Sequence, residues 1–239
     1  MNFKLTDPGS IETQTINITN NSQKVQSLEA YLGDWNRNED GTHTYYDANT
    51  QPFSCASWVK LSTNYLEIQP GESTQLVVTF QAPNNPEELQ AMKWAMVFLQ
   101  GTEPRTKVDG VPGGVQTKIN EIIRMGVHLY QTPSHLKLME AKALALEPNT
   151  EEQNVYDLDI ENTGYVMLNT RSYLELTNIN TGEEFKSEIV ECPVFPTGKR
   201  LVSLQMPENL PKGQYSMLGI LDYGDPYTLE AVEKIIEIK

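Results

Sequence analysis

The side chains best suited to chemistry are few and poorly grouped. Asp34, Asn36, Asn38 and Asp40 carry oxygen at every second position, the way a calcium loop begins. The sixth place of such a loop needs glycine and holds Glu39, and the twelfth needs a bidentate glutamate and holds Tyr45, so an exposed polar loop is the better reading. His43, His128 and His135 have no metal-binding spacing, and Cys55 and Cys192 do not form a Cys-x-x-Cys pair. No Gly-x-Ser-x-Gly elbow occurs, and Gly198-Lys199 lacks both the upstream glycine and the following Ser/Thr of a phosphate loop. Carboxylates are plentiful, yet acid–base catalysis needs two of them in one cleft, which no spacing here builds. Neither an enzyme nor a cofactor is expected.

The elements that hold these residues must form within 239 residues, enough for one large β domain or two of ordinary size. The formal charge is −14, and the 18 basic residues are scattered, so a nucleic-acid backbone would be repelled. The acidic balance reads as a solubility device. No apolar run reaches the roughly 18 residues of a spanning helix, and the start, Met1 to Leu5, enters strand-like sequence with no apolar leader core. The protein therefore either acts inside the cell or has lost a leader. Cys55 and Cys192 are expected as two unpaired, buried thiols rather than a bridge.

Short alternating runs between turn residues recur every 10 to 15 positions or so, the pattern of β-sandwiches. In the first half they fall at Phe3–Leu5, Glu12–Thr19, Val25–Trp35, Trp58–Leu61, Tyr65–Ile68, Thr74–Phe80 and Met92–Gln100, the last apolar on both faces and so central to a sheet. Gln69-Pro70-Gly71-Glu72 suits a type II turn. Residues 36–54 read as a long excursion or a weak hairpin around Asp40-Gly41, and Ala82–Leu89 accommodates one helical turn. The Gly/Pro-rich stretch Gly101 to Gly114 leads into the longest alternation, Val115 to Tyr130, with Ile119, Ile123, Met125, Val127 and Leu129 on one face. This predicts one long strand buried along one side, either a plain core strand or one whose edge receives a partner. The second half predicts strands at 136–146, 155–161, 167–169, 173–178, 185–189, 199–205, 214–221 and 232–238, with Tyr215 placed as a tyrosine corner. The fold class is all-β, two immunoglobulin-like sandwiches in tandem, at residues 1–132 and 133–239.

Several stretches resemble, in order, the PapD-like periplasmic chaperones of pilus assembly. Phe3 to Asn21 is similar to that family's first two strands and the Asn-rich turn after them, and Tyr65 to Gly71 to its strand and Pro-Gly turn. Ala95 to Gln100 with Pro104 resembles the strand before its long loop, Thr117 through Tyr130 and Pro133 its last first-domain strand and hinge, and Leu221-Asp222-Tyr223-Gly224 its Asn-Asp-Tyr-Gly signature. The resemblance implies a periplasmic or cell-envelope protein with a protein partner, a pilus-like subunit or a surface or secretion component, held by strand addition. Carried over by position, Val115, Thr117, Ile119 and Ile123 would form the donated face, continued by Met125 and interrupted by Glu121. The family anchors its client's terminal carboxylate with two cations. Lys4 and, slightly out of register, Arg124 stand nearest those places, and the pair reads equally as solvated surface charge. Of the family's inter-domain ion cluster the acid corresponds to Asp222, with Gln131 or Thr132 where its basic partner would be. A second reading keeps the fold without chaperone activity, as a structural or adhesion component docking through exposed aromatics such as Trp35, Tyr45, Tyr46 and Trp58.

Overall fold

The computed structural model describes residues 1–109, 117–135, 139–224 and 229–239, and among the described residues it is built from strands with two short 3-10 turns. No helix there is long and apolar enough to cross a membrane. The chain divides into two compact units, Met1–Trp35 with Tyr45–His135 and Asn36–Thr44 with Leu136–Lys239.

Apart from Asn36–Arg37 of β3 and His43–Thr44 of β4, the first unit contains β1 (Asn2–Phe3), β2 (Ile11–Thr19), β3 (Gln26–Arg37), β4 (His43–Asp47), β5 (Val59–Leu61), β6 (Tyr65–Ile68), β7 (Ser73–Gln81), β8 (Lys93–Gly101), β9 (Arg105–Asp109), β10 (Thr117–Glu121) and β11 (Arg124–Gln131). One sheet runs β1-β11-β8-β3-β4, with β6 also on β3; the facing sheet is β2-β7-β5, and β9 and β10 form a separate ribbon. Alternation sorts each strand's two faces. Ile16 and Ile18 of β2, Leu76, Val78 and Phe80 of β7, Leu28 and Ala30 of β3, and Ala95, Val97 and Leu99 of β8 meet in the core. Phe3 stacks there on Phe80 at 4.6 Å between ring centroids. The expected type II turn is present, with Gly71 at φ 77° and Glu72 N–H donating to Gln69 O at 3.1 Å. The helical turn is Pro86–Leu89, capped by the Asn85 side chain accepting from Glu87 N–H.

β8 is buried on both sides because its second face is roofed by aromatics. Trp94, Met96 and Phe98 of β8 are buried, and on the same face His128 and Tyr130 stand beside Met96 and Trp94, with Trp35 against both His128 and Tyr130. Trp35 is fully buried, donates its indole N–H to Ala95 O at 3.2 Å and packs 4.3 Å from the His128 ring. The expectation of an exposed Trp35 is thus overturned: a large apolar ring on the outer face of a strand recruits other rings rather than face water. Trp58 is half-buried against Phe80, while Tyr45 and Tyr46 are exposed. Cys55 and Cys192 are free and buried.

The second unit contains β12 (Ala141–Pro148), β13 (Val155–Asn162), β14 (Leu168–Asn178), β15 (Glu184–Lys186), β16 (Val190–Val194), β17 (Lys199–Gln205), β18 (Gly213–Asp222) and β19 (Glu230–Ile238). Its sheets are β12-β13-β17 and β15-β14-β18-β19, with β16 also on β14. Leu158, Leu174, Leu176, Leu204 and Met217 fill the space between them. Tyr215 is fully buried with its hydroxyl donating to Pro211 O at 2.8 Å, the corner its sequence position predicts. The runs expected at 167–169 and 173–178 are one strand, β14, because Thr170 and Ser172 are buried and hydrogen-bonded or packed within it rather than forming a turn. Of the run expected at 185–189 only Phe185 and Lys186 are in strand, in β15; β16 begins after it, and the two pair with different parts of β14.

Candidate protein-binding edge

The predicted strand from Val115 to Tyr130 is two strands. β10 pairs only with β9, and β11 pairs with β8 from Arg124↔Gln100 to Gln131↔Lys93. β8 ends at Gly101, whose N–H donates to Ile123 O at 2.9 Å. Beyond that point the sheet offers no ladder to residues 122 and earlier, so the chain leaves it and follows β9. Val115 lies outside the described residues; Thr117 and Ile119 are placed on β10.

The break changes which side chains are buried. Leu129 is fully buried and Val127 packs against the core, but Met125 is 46% exposed and Ile123 42%. The expected face, buried along its whole length, therefore holds only for the last third of the segment, because the facing sheet stops short of the rest. Ile122, next to Ile123 in the chain, is 54% exposed. On the opposite face the Met96 side chain lies close over Gly126, whose Cβ, if added, would stand 2.4 Å from Met96 Sδ.

Beside β11 lies β1, parallel, paired only at Asn2↔Tyr130 and Phe3↔Gln131. Tyr130 N–H donates to Met1 O at 2.9 Å and Thr132 N–H to Phe3 O at 3.0 Å. By the two-residue period of a strand, the N–H groups of Arg124 and Gly126 point to that same side. No described strand neighbours them there. An open ladder bordered by exposed Ile123 and Met125 can accept an extended chain, backbone to backbone.

Gln131 closes the other end. It is fully buried, and its side-chain amide donates to Leu5 O at 2.6 Å and accepts from Leu5 N–H at 3.3 Å. The amide imitates one rung of the ladder and pairs the backbone of half-buried Leu5. Lys4, exposed, sits next to this clasp, whereas Arg124 is seven positions back along β11, about 23 Å at strand rise. The structure does not bring these two cations together on one carboxylate. Arg124 instead lies over the rings of Phe98 and Tyr45, at 4.7 and 5.4 Å. In the second unit, Asp222 ends β18 by accepting from Gly224 N–H at 2.9 Å, where Gly224 has φ 109°, and it pairs with Arg171 at 3.6 Å.

Asp34, first of the calcium-like positions, is buried and already saturated. Its oxygens accept from Thr50 N–H at 2.8 Å, Gln51 N–H at 3.0 Å and Ser54 Oγ at 2.6 Å. The carboxylate organises the loop after β4 rather than facing a cation. Sequence reasoning missed the break and the exposed patch, although Ile122-Ile123 carried a signal: two adjacent isoleucines cannot both obey a period of two.

No protein-family model matches the sequence, and no curated protein matches it. Solved structures do. A chain from the chaperone–tip adhesin complex of CFA/I fimbriae biogenesis is 10% identical, with 98% of this chain and 93% of that one covered at a TM-score of 0.52. The class 5 fimbriae chaperone CfaA is 11% identical, with 98% and 94% covered, again at a TM-score of 0.52. At that identity the likeness is one of fold, and the chain has the PapD-like fold of the fimbrial chaperones, all-β with two sandwich halves.

Proposed function

We propose that this protein is a chaperone-like binding protein of the periplasm or cell envelope, not an enzyme, and that it holds a partner protein by strand addition along β11. In this reading residues 1–132 and 133–239 are its two domains. The observation that carries it is the outward ladder edge at Arg124 and Gly126, with no described strand beside it and with exposed Ile123 and Met125 on its border. The partner contributes a strand whose alternate apolar side chains pack on that border. Thr117 and Ile119 fall on β10, outside the β11 ladder, and Lys4 and Arg124 stand near the two ends of β11. The fold shared with a chain of a chaperone–adhesin complex supports a protein partner.

The test is affinity purification from the cells that make the protein, with bound chains identified by mass spectrometry, for wild type, Ile123→Asp, Met125→Asp and Lys4→Glu. A carboxylate placed in an apolar contact costs several kcal/mol when unpaired, so the two strand variants should lose the partner while keeping their melting temperature. If the partner stays bound to all three, strand addition at this edge is wrong. A partner lost only when Tyr45 and Tyr46 are replaced would instead favour a structural or adhesion component docking through those exposed rings.

A further inference from the structure

A second surface of the first unit shares Arg124 with the outward edge of β11 but lies on a face of the sheet. On the aromatic face of the β11-β8-β3-β4 sheet lies a cleft of about 600 Å³, whose walls include Tyr31, Tyr45, Tyr46, Asp47 and Arg124. That volume is within the roughly 300–1,000 Å³ of small-molecule sites.

Its floor depends on a glycine. A Cβ at Gly33 would stand 2.6 Å from Phe98 Cε2, so the absence of a side chain lets the Phe98 ring lie directly on β3. Tyr31 flanks that ring at 5.3 Å and Tyr45 meets it edge-on at 5.6 Å. The Arg124 guanidinium rests over Phe98 and Tyr45, 4.7 and 5.4 Å from their ring centroids, and lines the cleft. Among the described residues Arg124 makes no hydrogen bond or ion pair. The Asp47 carboxylate accepts none there either, although both line the same cleft. Tyr45 is 44% exposed and Tyr46 38%, and both line the cleft.

The ligand that fits must offer a donor to Asp47 and an acceptor to Arg124 from one compact frame, and an apolar patch to a tyrosine ring. Vicinal hydroxyls supply donor and acceptor at once, and the C–H face of a pyranose supplies the patch. A carboxylate-bearing sugar would meet Asp47 and a chain of formal charge −14. The geometry points to a site for a neutral hexopyranose, such as the terminal unit of a glycan.

The test uses the full chain and methyl glycosides of glucose, galactose and mannose, with methyl glucuronide for comparison, followed by saturation-transfer NMR up to about 10 mM, well above a 1 mM Kd. At least one neutral glycoside should bind, and Tyr45→Ala, Asp47→Ala and Arg124→Ala should each weaken it about tenfold or more, the loss of one charge-assisted hydrogen bond or one stacking face. All three side chains sit on the cleft wall, so circular dichroism and melting temperature should stay near wild type; if a variant fails this, the other two decide. Met125→Asp should bind the glycoside as wild type does, which separates this site from the strand edge. The inference is overturned if no neutral glycoside binds, if methyl glucuronide binds in preference, or if binding survives the cleft substitutions.

Discussion

Replacing Asp34 by alanine tests how one buried carboxylate shapes the loop that borders the cleft. Three donors converge on it, two of them backbone N–H groups, at 2.8, 3.0 and 2.6 Å. Bonds to a charged acceptor contribute about 1.5–3 kcal/mol each, so the lower bound for three is about 4.5 kcal/mol. Part of this is offset because the carboxylate no longer has to be kept out of water. The net loss should be about 3 kcal/mol, roughly 10 °C in melting temperature for a domain of this size. Asp34→Asn should behave differently. Its amide oxygen can keep the two backbone N–H groups while its NH₂ donates to Ser54 Oγ, which has a free lone pair to accept, so the cost should be about 1 kcal/mol. Urea unfolding of the three proteins, with a common slope, measures both values. A loss below about 1 kcal/mol for Asp34→Ala would refute the reasoning, as would equal losses for alanine and asparagine.

Three further outcomes are expected. Burial pushes the Cys55 thiol far up, with the Asp34 charge adding to it, so Cys55 should resist iodoacetamide at pH 8 in the folded protein and react only on unfolding; alkylation followed by peptide mass spectrometry checks this. Burial, and then the Arg37 charge, hold His43 below the ordinary imidazole range, so the unfolded chain takes up the proton first and stability should fall as the pH drops below about 6.5. That fall should be shallower in His43→Gln, measured as melting temperature from pH 7.5 to 5, and identical slopes would exclude His43 as a source. Gln131→Leu removes both amide bonds to Leu5 and leaves that backbone unsatisfied, which should cost about 2–3 kcal/mol and raise hydrogen exchange at Leu5 and Thr132.

The sandwich architecture was legible because its cues are local. Period-two burial in β2 and β7, Pro70-Gly71 in a turn that needs a positive φ, and Tyr215 four residues past the carbonyl it reaches are all visible within a few positions. The candidate edge was half legible. Alternation located β11 but could not say where the opposing sheet ends, and that end decides whether Met125 is buried like Leu129 or exposed. The aromatic roof was not legible at all: Trp35, Trp94, Phe98, His128 and Tyr130 come from three separated strands, and only the ladder register brings them together. The same register separates Lys4 from Arg124, whose convergence no spacing along the chain could test.

The Gln131–Leu5 clasp has a geometric consequence for any chain that pairs with β11. It holds β1 beside Tyr130 and Gln131, and Met1 N donates to His128 O at 2.6 Å, so under the proposed strand addition a chain pairing from Arg124 reaches Met1 first. A segment that ends there, or turns away there, fits without distortion; one that continues straight must displace β1 and break the clasp.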